Sequence, residues 1–263
     1  MLHDFTKDVF DIIIQAGQSN AEGCGVGDTD EPYVPCDAVW YLEPDLTVVP
    51  ATEKAEHNVI RTNFSLPFVT EYLKDGRLPE GRKLLILRTA VGGTGFLDKR
   101  WGMTDDLYLR MMDMIREALA MNPENRLVAL LWHQGETDAC LGATRDGHYA
   151  NLMGLLQSVR DTFSVPALPF VAGDFVYHWR DENAAICAPV LQAIRDVCAD
   201  MGNGAFVETD GLKSNWQELG DIRQDPIHFS RRATYELGKR YYAAYAGIVG
   251  QYNSIGTENP PRS

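Results

Sequence analysis

The 263-residue chain is long enough to bury a substantial core, and with 45% apolar and 23% charged residues it reads as an ordinary soluble globule. Its formal net charge of -13, from 37 acidic and 24 basic residues, repels phosphate backbones, so nucleic acid is not an expected partner and a neutral, sugar-like substrate suits the surface better. The longest purely aliphatic and aromatic run, Leu127 to Trp132, is far short of the roughly 20 residues that cross a bilayer, so no membrane partner is expected either.

The first residues, Met-Leu-His-Asp-Phe-Thr-Lys, lack the basic start and apolar core of a secretion signal. This places the chain in the cytoplasm, or outside the cell if a signal has been removed. Val9 to Gln15 is an apolar run that stops at a glycine and reads as a buried strand. Gly17 to Gly27 is a loop of small residues with room for a short helix after Ser19. Ala38 to Leu42 is a second strand, 43–63 a long loop, and Phe64 to Lys74 a helix that Asp75-Gly76 ends.

Lys83 to Thr89 is a third strand, followed by Ala90-Val-Gly-Gly-Thr-Gly95. Thr104 caps a helix with Asp105 and Asp106 in its first turn, and Leu107, Met111, Met114, Ile115, Ala118 and Leu119 repeat at helical intervals. Leu127 to Trp132, apolar on both faces, suits a central parallel strand. Tyr149 to Phe163 reads as helix, Leu168 to Ala172 as a fifth strand and Glu182 to Met201 as mostly helix, with Pro189 kinking it or marking its start. Ala205 to Glu208 offers one more short strand. Ser230 caps the last helix, and the tail from Asn253 carries no apolar pattern. Strands alternating with helices imply an α/β fold with a parallel sheet covered on both faces, and no repeat or linker divides 1–263 into more than one domain.

In such a fold, ligands bind beyond the carboxyl ends of the strands. Ser19, just past the first strand, is the candidate nucleophile. A serine hydroxyl needs a base and an acid to orient that base, and Asp225-Pro-Ile-His228 supplies both within one short loop. The backbone N–H groups of Ser19 and of Gly92-Gly93, with the side-chain amide of Gln134, are candidate donors to a developing oxyanion. His133 and Glu136 have the spacing of a metal-ligand pair but lack a third ligand, and are read as groups bracing the Gln134 loop. His57, His148 and His178 lie in polar, unpatterned surroundings. Among Phe96, Trp101 and Tyr177, Trp101 is the favoured aromatic for stacking on a sugar. The five cysteines form no Cys-x-x-Cys pair and are expected to be reduced. Gly17-Gln-Ser-Asn-Ala21 nearly matches a nucleophile elbow, but the serine follows the first strand and Asp225 and His228 share one loop, unlike the α/β-hydrolase order.

Taken together, Gly17-Gln-Ser-Asn20, Gly92-Gly-Thr94, His133-Gln-Gly-Glu-Thr-Asp138 and Asp225-Pro-Ile-His228 resemble the SGNH (GDSL-like) hydrolases, and within them the carbohydrate acetylesterase and sialate O-acetylesterase branch. The resemblance implies a flavodoxin-like three-layer α/β/α sandwich with a mainly parallel sheet of about five strands. It implies Ser19 as nucleophile, His228 as base, Asp225 as orienting acid, and Ser19, Gly92 and Gln134 as the oxyanion hole. Gln18, Gly93, Trp101 and Glu136 complete the expected substrate-binding set. Gln18 stands where Asp is usual, and the Gly-x-Asn-Asp block of the wider superfamily is replaced by His-Gln-Gly-Glu. The implied activity is removal of small acyl groups from carbohydrate hydroxyls with no metal or organic cofactor. The alternatives are a lipase or thioesterase acting on longer acyl chains and a carbohydrate-binding protein without catalysis. The pattern fixes neither the sugar nor an oligomeric state.

Overall fold

The computed structural model describes residues 3–56, 59–222 and 224–255. In chain order the elements are β1 (Val9–Gly17), α1 (Ser19–Glu22), β2 (Val39–Leu42), β3 (Val48–Pro50), β4 (Lys54–Glu56), β5 (Val59–Arg61), α2 (Ser65–Lys74), β6 (Arg82–Arg88) and α3 (Asp106–Ala120). They continue with β7 (Arg126–His133), α4 (Glu136–Cys140), α5 (Arg145–Thr162), β8 (Phe170–Gly173), α6 (Tyr177–Glu182), α7 (Ala184–Asp200), β9 (Gly204–Val207), α8 (Asn215–Leu219) and α9 (Arg231–Ile255).

One seven-stranded sheet has the order β3-β2-β6-β1-β7-β8-β9 and is parallel except for the edge strand β3. β1 lies at its centre with Phe10, Ile12, Ile13, Ile14 and Ala16 fully buried, as its apolar run demands. Two helical layers cover the faces. α2 and α9 pack together on one side, where the Tyr241 hydroxyl donates to Trp132 O. α3, α5 and α7 lie on the other, with Tyr108 of α3 hydrogen-bonded to Ser158 of α5 and α5 packed on α7.

Because β6 and β7 flank β1, the loops after these three strands open side by side at one sheet edge. The chain runs to β2 and β6 on one side of β1 and then crosses to β7 on the other. That reversal of direction is where open parallel sheets form ligand crevices.

The sheet has two more strands than the five expected: β9, which the short run from Ala205 to Glu208 anticipates, and β3, whose three residues carry too little alternation to be distinguished from loop. The stretch read as the 43–63 loop holds β3 and the β4–β5 hairpin; His57 lies outside the described residues. Helix α3 starts one residue later than read: Asp105, not Thr104, stands at its cap, and its carboxylate accepts from Gly102 N at 2.7 Å. The segment 182–201 divides at Asn183 into α6 and α7, and Pro189 sits inside α7 rather than at its start. Ser230 does cap the last helix, its Oγ accepting from Ala233 N at 3.2 Å. That helix runs on to Ile255, past the expected break at Asn253, while 256–263 lie outside the described residues.

Candidate active site

β1 ends at Gly17 with φ +126°, and a Cβ there would meet His133 O at 2.1 Å, so only glycine lets β1 and β7 run this close. The β1–β7 ladder then extends one residue further, Gln18 N donating to His133 O at 2.9 Å. This sets Ser19 at the first position of α1, where the amide N–H has no partner within the helix.

The Ser19 hydroxyl lies 2.8 Å from His228 Nε2, across 209 residues of sequence. On the other side of the ring, His228 Nδ1 is 2.9 and 3.0 Å from the two oxygens of Asp225. A carboxylate only accepts, so Nδ1 carries the proton and Nε2 is left free to accept from the serine. Burial by itself would raise the Asp225 pKa, but hydrogen bonds from His228 and from Asn215 outweigh it and hold the carboxyl below its ordinary value.

Two asparagines that the sequence reading did not single out hold this array together. Asn215 Nδ2 donates to Asp225 Oδ2 at 2.9 Å and to Cys24 O at 3.1 Å, while its Oδ1 accepts from Val26 N at 3.1 Å. Its own backbone N–H donates to His228 O at 2.8 Å. Asn20, next to Ser19, donates from Nδ2 to Ile227 O at 3.0 Å and accepts at Oδ1 from Phe229 N at 3.1 Å. It therefore grips the backbone on both sides of His228. Asn20 Nδ2 also donates to Glu136 Oε1 at 2.7 Å, and burial raises the pKa of that carboxyl. Asn20 belongs to the same Gly-Gln-Ser-Asn block as Ser19 and was legible there; Asn215 left no signal in the sequence.

Two of the three expected oxyanion donors, Gly92 and Gln134, are already engaged. Gly92 lies against Ser19, since a Cβ there would be 3.4 Å from Ser19 Cβ, but its N–H donates to Glu22 Oε2 at 2.7 Å. Gln134 is fully buried, and its amide nitrogen faces three acceptors: Asp138 Oδ2 at 2.9 Å, Thr94 O at 3.2 Å and Gln18 Oε1 at 3.4 Å. Its two protons are directed at these acceptors, which gather the loop around it. Gln18 is likewise buried, accepting from Gly135 N and Thr137 N as well. Glu136 is 1% exposed and serves Asn20 rather than a substrate or the Gln134 loop. Trp101 is 0% exposed, edge-on to Trp132 and hydrogen-bonded through Nε1 to Thr94 Oγ1, so it has no free face for a sugar ring. Of the expected substrate-binding set only Gly93, at φ +68°, is exposed.

His133 is also buried; its Nδ1 lies 2.9 Å from the Tyr241 hydroxyl, and burial lowers its pKa to about 3, which keeps it neutral. Glu136 Oε1 lies 4.0 Å from its Nε2.

The family model of carbohydrate esterases described as sialic acid-specific acetylesterases matches residues 9–247. The solved structure of NanS superposes with a TM-score of 0.79 over 94% of this chain and 99% of that one, at 18% identity. An Arabidopsis thaliana protein of solved structure superposes at 0.70 over 90% and 98%, with 21% identity. In sequence, a probable 9-O-acetyl-N-acetylneuraminic acid deacetylase of Escherichia coli K12 is 28% identical over 89 residues, 31% of this chain and 27% of its own. A probable carbohydrate esterase of Arabidopsis thaliana is 24% identical over 162 residues, 59% of this chain and 53% of its own. The chain thus spans about half, or less, of the length of the curated relatives it matches. The match across 239 positions (9 to 247), on a sheet that brings Ser19, His228 and Asp225 into one hydrogen-bonded line, makes this chain a member of the sialic acid-specific acetylesterase family of carbohydrate esterases.

Proposed function

We propose that the protein is a serine esterase that removes O-acetyl groups from hydroxyls of a carbohydrate, forming an acyl-enzyme on Ser19. The observation that carries this reading is the unbroken contact Ser19 Oγ, His228 ring, Asp225 carboxylate at 2.8 and 2.9 Å. His228 Nε2 takes the serine proton as Oγ attacks the ester carbonyl. Asp225 holds the ring in the tautomer that permits this and stabilises the imidazolium that forms. The tetrahedral intermediate collapses with His228 giving its proton to the departing sugar oxygen. Water, deprotonated by the same nitrogen, then attacks the acetyl ester of Ser19 and releases acetate. Donors for the oxyanion are the Ser19 N–H and, once Glu22 leaves it, the Gly92 N–H. Every step uses groups of this chain.

Family membership supports acetyl esters of carbohydrates as the substrate class. The test is acetate release from acetylated xylan, sialic acid and pectin fragments by the wild type and by Ser19→Ala. Release from at least one fragment by the wild type, reduced by orders of magnitude in the variant, is the expected result. Preference for octanoyl over acetyl esters of the same alcohol would overturn the acetylesterase reading in favour of a lipase.

A further inference from the structure

One cavity of the molecule is bounded by Glu22, the residue that blocks the Gly92 amide. It has a volume of about 470 Å³ and is lined by Glu22, Tyr41, Glu43, Thr52, Lys54 and Arg88 among others; a second recess of about 220 Å³ shares Glu22, Thr52, Lys54 and Arg88 with it. The walls alternate in sign. Arg88 pairs with Glu43 at 2.9 Å while its guanidinium lies 5.0 Å over the Tyr41 ring, and the Lys54 ammonium is held only loosely, 3.7 Å from Glu56. A surface of mixed donors and acceptors fits hydroxyl groups, each of which donates and accepts at once. An alkyl chain there would strip water from these groups without replacing its hydrogen bonds.

Glu22 stands where this cavity meets the reacting centre. A Cβ built on Gly92 would lie 3.1 Å from Glu22 Oε2 and 3.4 Å from Ser19 Cβ, so carboxylate and nucleophile share one side of that glycine. While Glu22 accepts from Gly92 N, that donor cannot meet a carbonyl oxygen, and a fixed negative charge beside a developing oxyanion raises the barrier. The carboxylate must move before Gly92 can act, and the space open to it is the cavity it already lines.

We infer that Glu22 is a specificity-determining residue: a hydroxyl of the sugar bound in this cavity draws its carboxylate off the Gly92 amide, so that the oxyanion hole is completed by the polyol part of the substrate. The inference rests on the esterase reading above. Its consequence is a built-in preference for sugar acetates over acetate esters that carry no hydroxyl. Binding of the correct alcohol assembles the catalytic donor set, a form of induced fit.

The experiment compares wild type, Glu22→Gln and Glu22→Ala on two substrates, a mono-O-acetylated sugar and an aryl acetate, with circular dichroism to show that each variant is folded. In Glu22→Ala, kcat for the aryl acetate should rise, by about fivefold or more, because Gly92 is freed to act as a donor. The same change should lower the ratio of kcat/KM for the sugar acetate to that for the aryl acetate by about tenfold or more, the discrimination carried by one hydrogen bond to a charged group. Glu22→Gln should fall between, since a neutral amide oxygen holds Gly92 less firmly. If both substrates slow together, or the ratio does not change, the inference is overturned and the acetylesterase reading stands. A wild type that releases acetate from neither ester overturns both.

Discussion

Asn20→Ala tests how the fold delivers the base to the nucleophile. The substitution removes the acceptor of Phe229 N–H, the donor to Ile227 O and the donor to Glu136 Oε1, all within a site where Asn20 is 4% exposed. Leaving one buried amide and one buried carboxylate oxygen without partners costs about 2–4 kcal/mol of stability. The catalytic effect has a separate origin. His228 sits between the two backbone groups that Asn20 holds, and misplacing a reacting group by about 1 Å costs roughly 10² in rate. We expect kcat for an aryl acetate to fall by about 10²-fold with KM nearly constant, because the Asn20 side chain is buried and engaged with Ile227, Phe229 and Glu136. Steady-state kinetics well below the melting temperature, with urea unfolding of the same preparations, separate the two effects. If stability falls as expected while kcat stays within about threefold of wild type, Asn20 braces the fold without aligning the base, and the reasoning fails.

Asp225→Asn should lower kcat by about 10³–10⁴-fold with a much smaller change in KM, measured by the same assay; an effect confined to KM would contradict the role given to the carboxylate. Asp225 has a folded-state pKa below its ordinary value of 3.8, so its hydrogen bonds contribute stability above that value that is lost as pH falls through the lowered one. The acid limb of the unfolding curve should therefore be less steep in Asp225→Asn. Glu136 has the opposite sign: burial raises its pKa above 4.5, so its contribution is most favourable below 4.5 and declines as pH rises through the raised value. Glu136→Gln, which retains an acceptor for Asn20, should gain stability relative to wild type on going from pH 4 to pH 8, and a constant difference in urea midpoints over that range would refute this. Trp101→Ala should cost about 3–5 kcal/mol of stability as a large cavity forms in the core; a weaker KM for acetylated sugar with stability intact would restore the tryptophan to the binding surface.

The fold was legible wherever apolar runs were long. β1 and β7 bury most of their side chains and β6 its central Leu84 to Leu87, and the spacing of Leu107, Met111, Met114, Ile115 and Ala118 in α3 matches its buried face. The short strands β3, β4 and β5 were not, because three residues with intermediate or exposed burial show no period to read. The contact between Asp225 and His228 was legible because Asp-x-x-His is compact enough for one loop to close the pair at 2.9 Å. Donors and binding residues were harder. A glutamine or tryptophan in a motif gives no indication whether it faces the crevice or the core, and Gln134, Gln18 and Trp101 turned inward because Asp138, the Gly135 and Thr137 amides, and Thr94 supply their partners there. Glu22 went unnoticed for the reverse reason: an acidic residue in a small-residue loop carries no pattern, and only the fold brings it onto Gly92.

The central claim is that Ser19 is activated by His228 and carries the acyl group. Labelling with a serine-directed phosphonate, followed by peptide mass analysis, tests it most directly. The account predicts one adduct per chain on Ser19, loss of esterase activity in proportion to labelling, and labelling that slows by orders of magnitude in His228→Ala. Full inactivation with Ser19 unmodified, or equal labelling of Ser19 in His228→Ala, would contradict it.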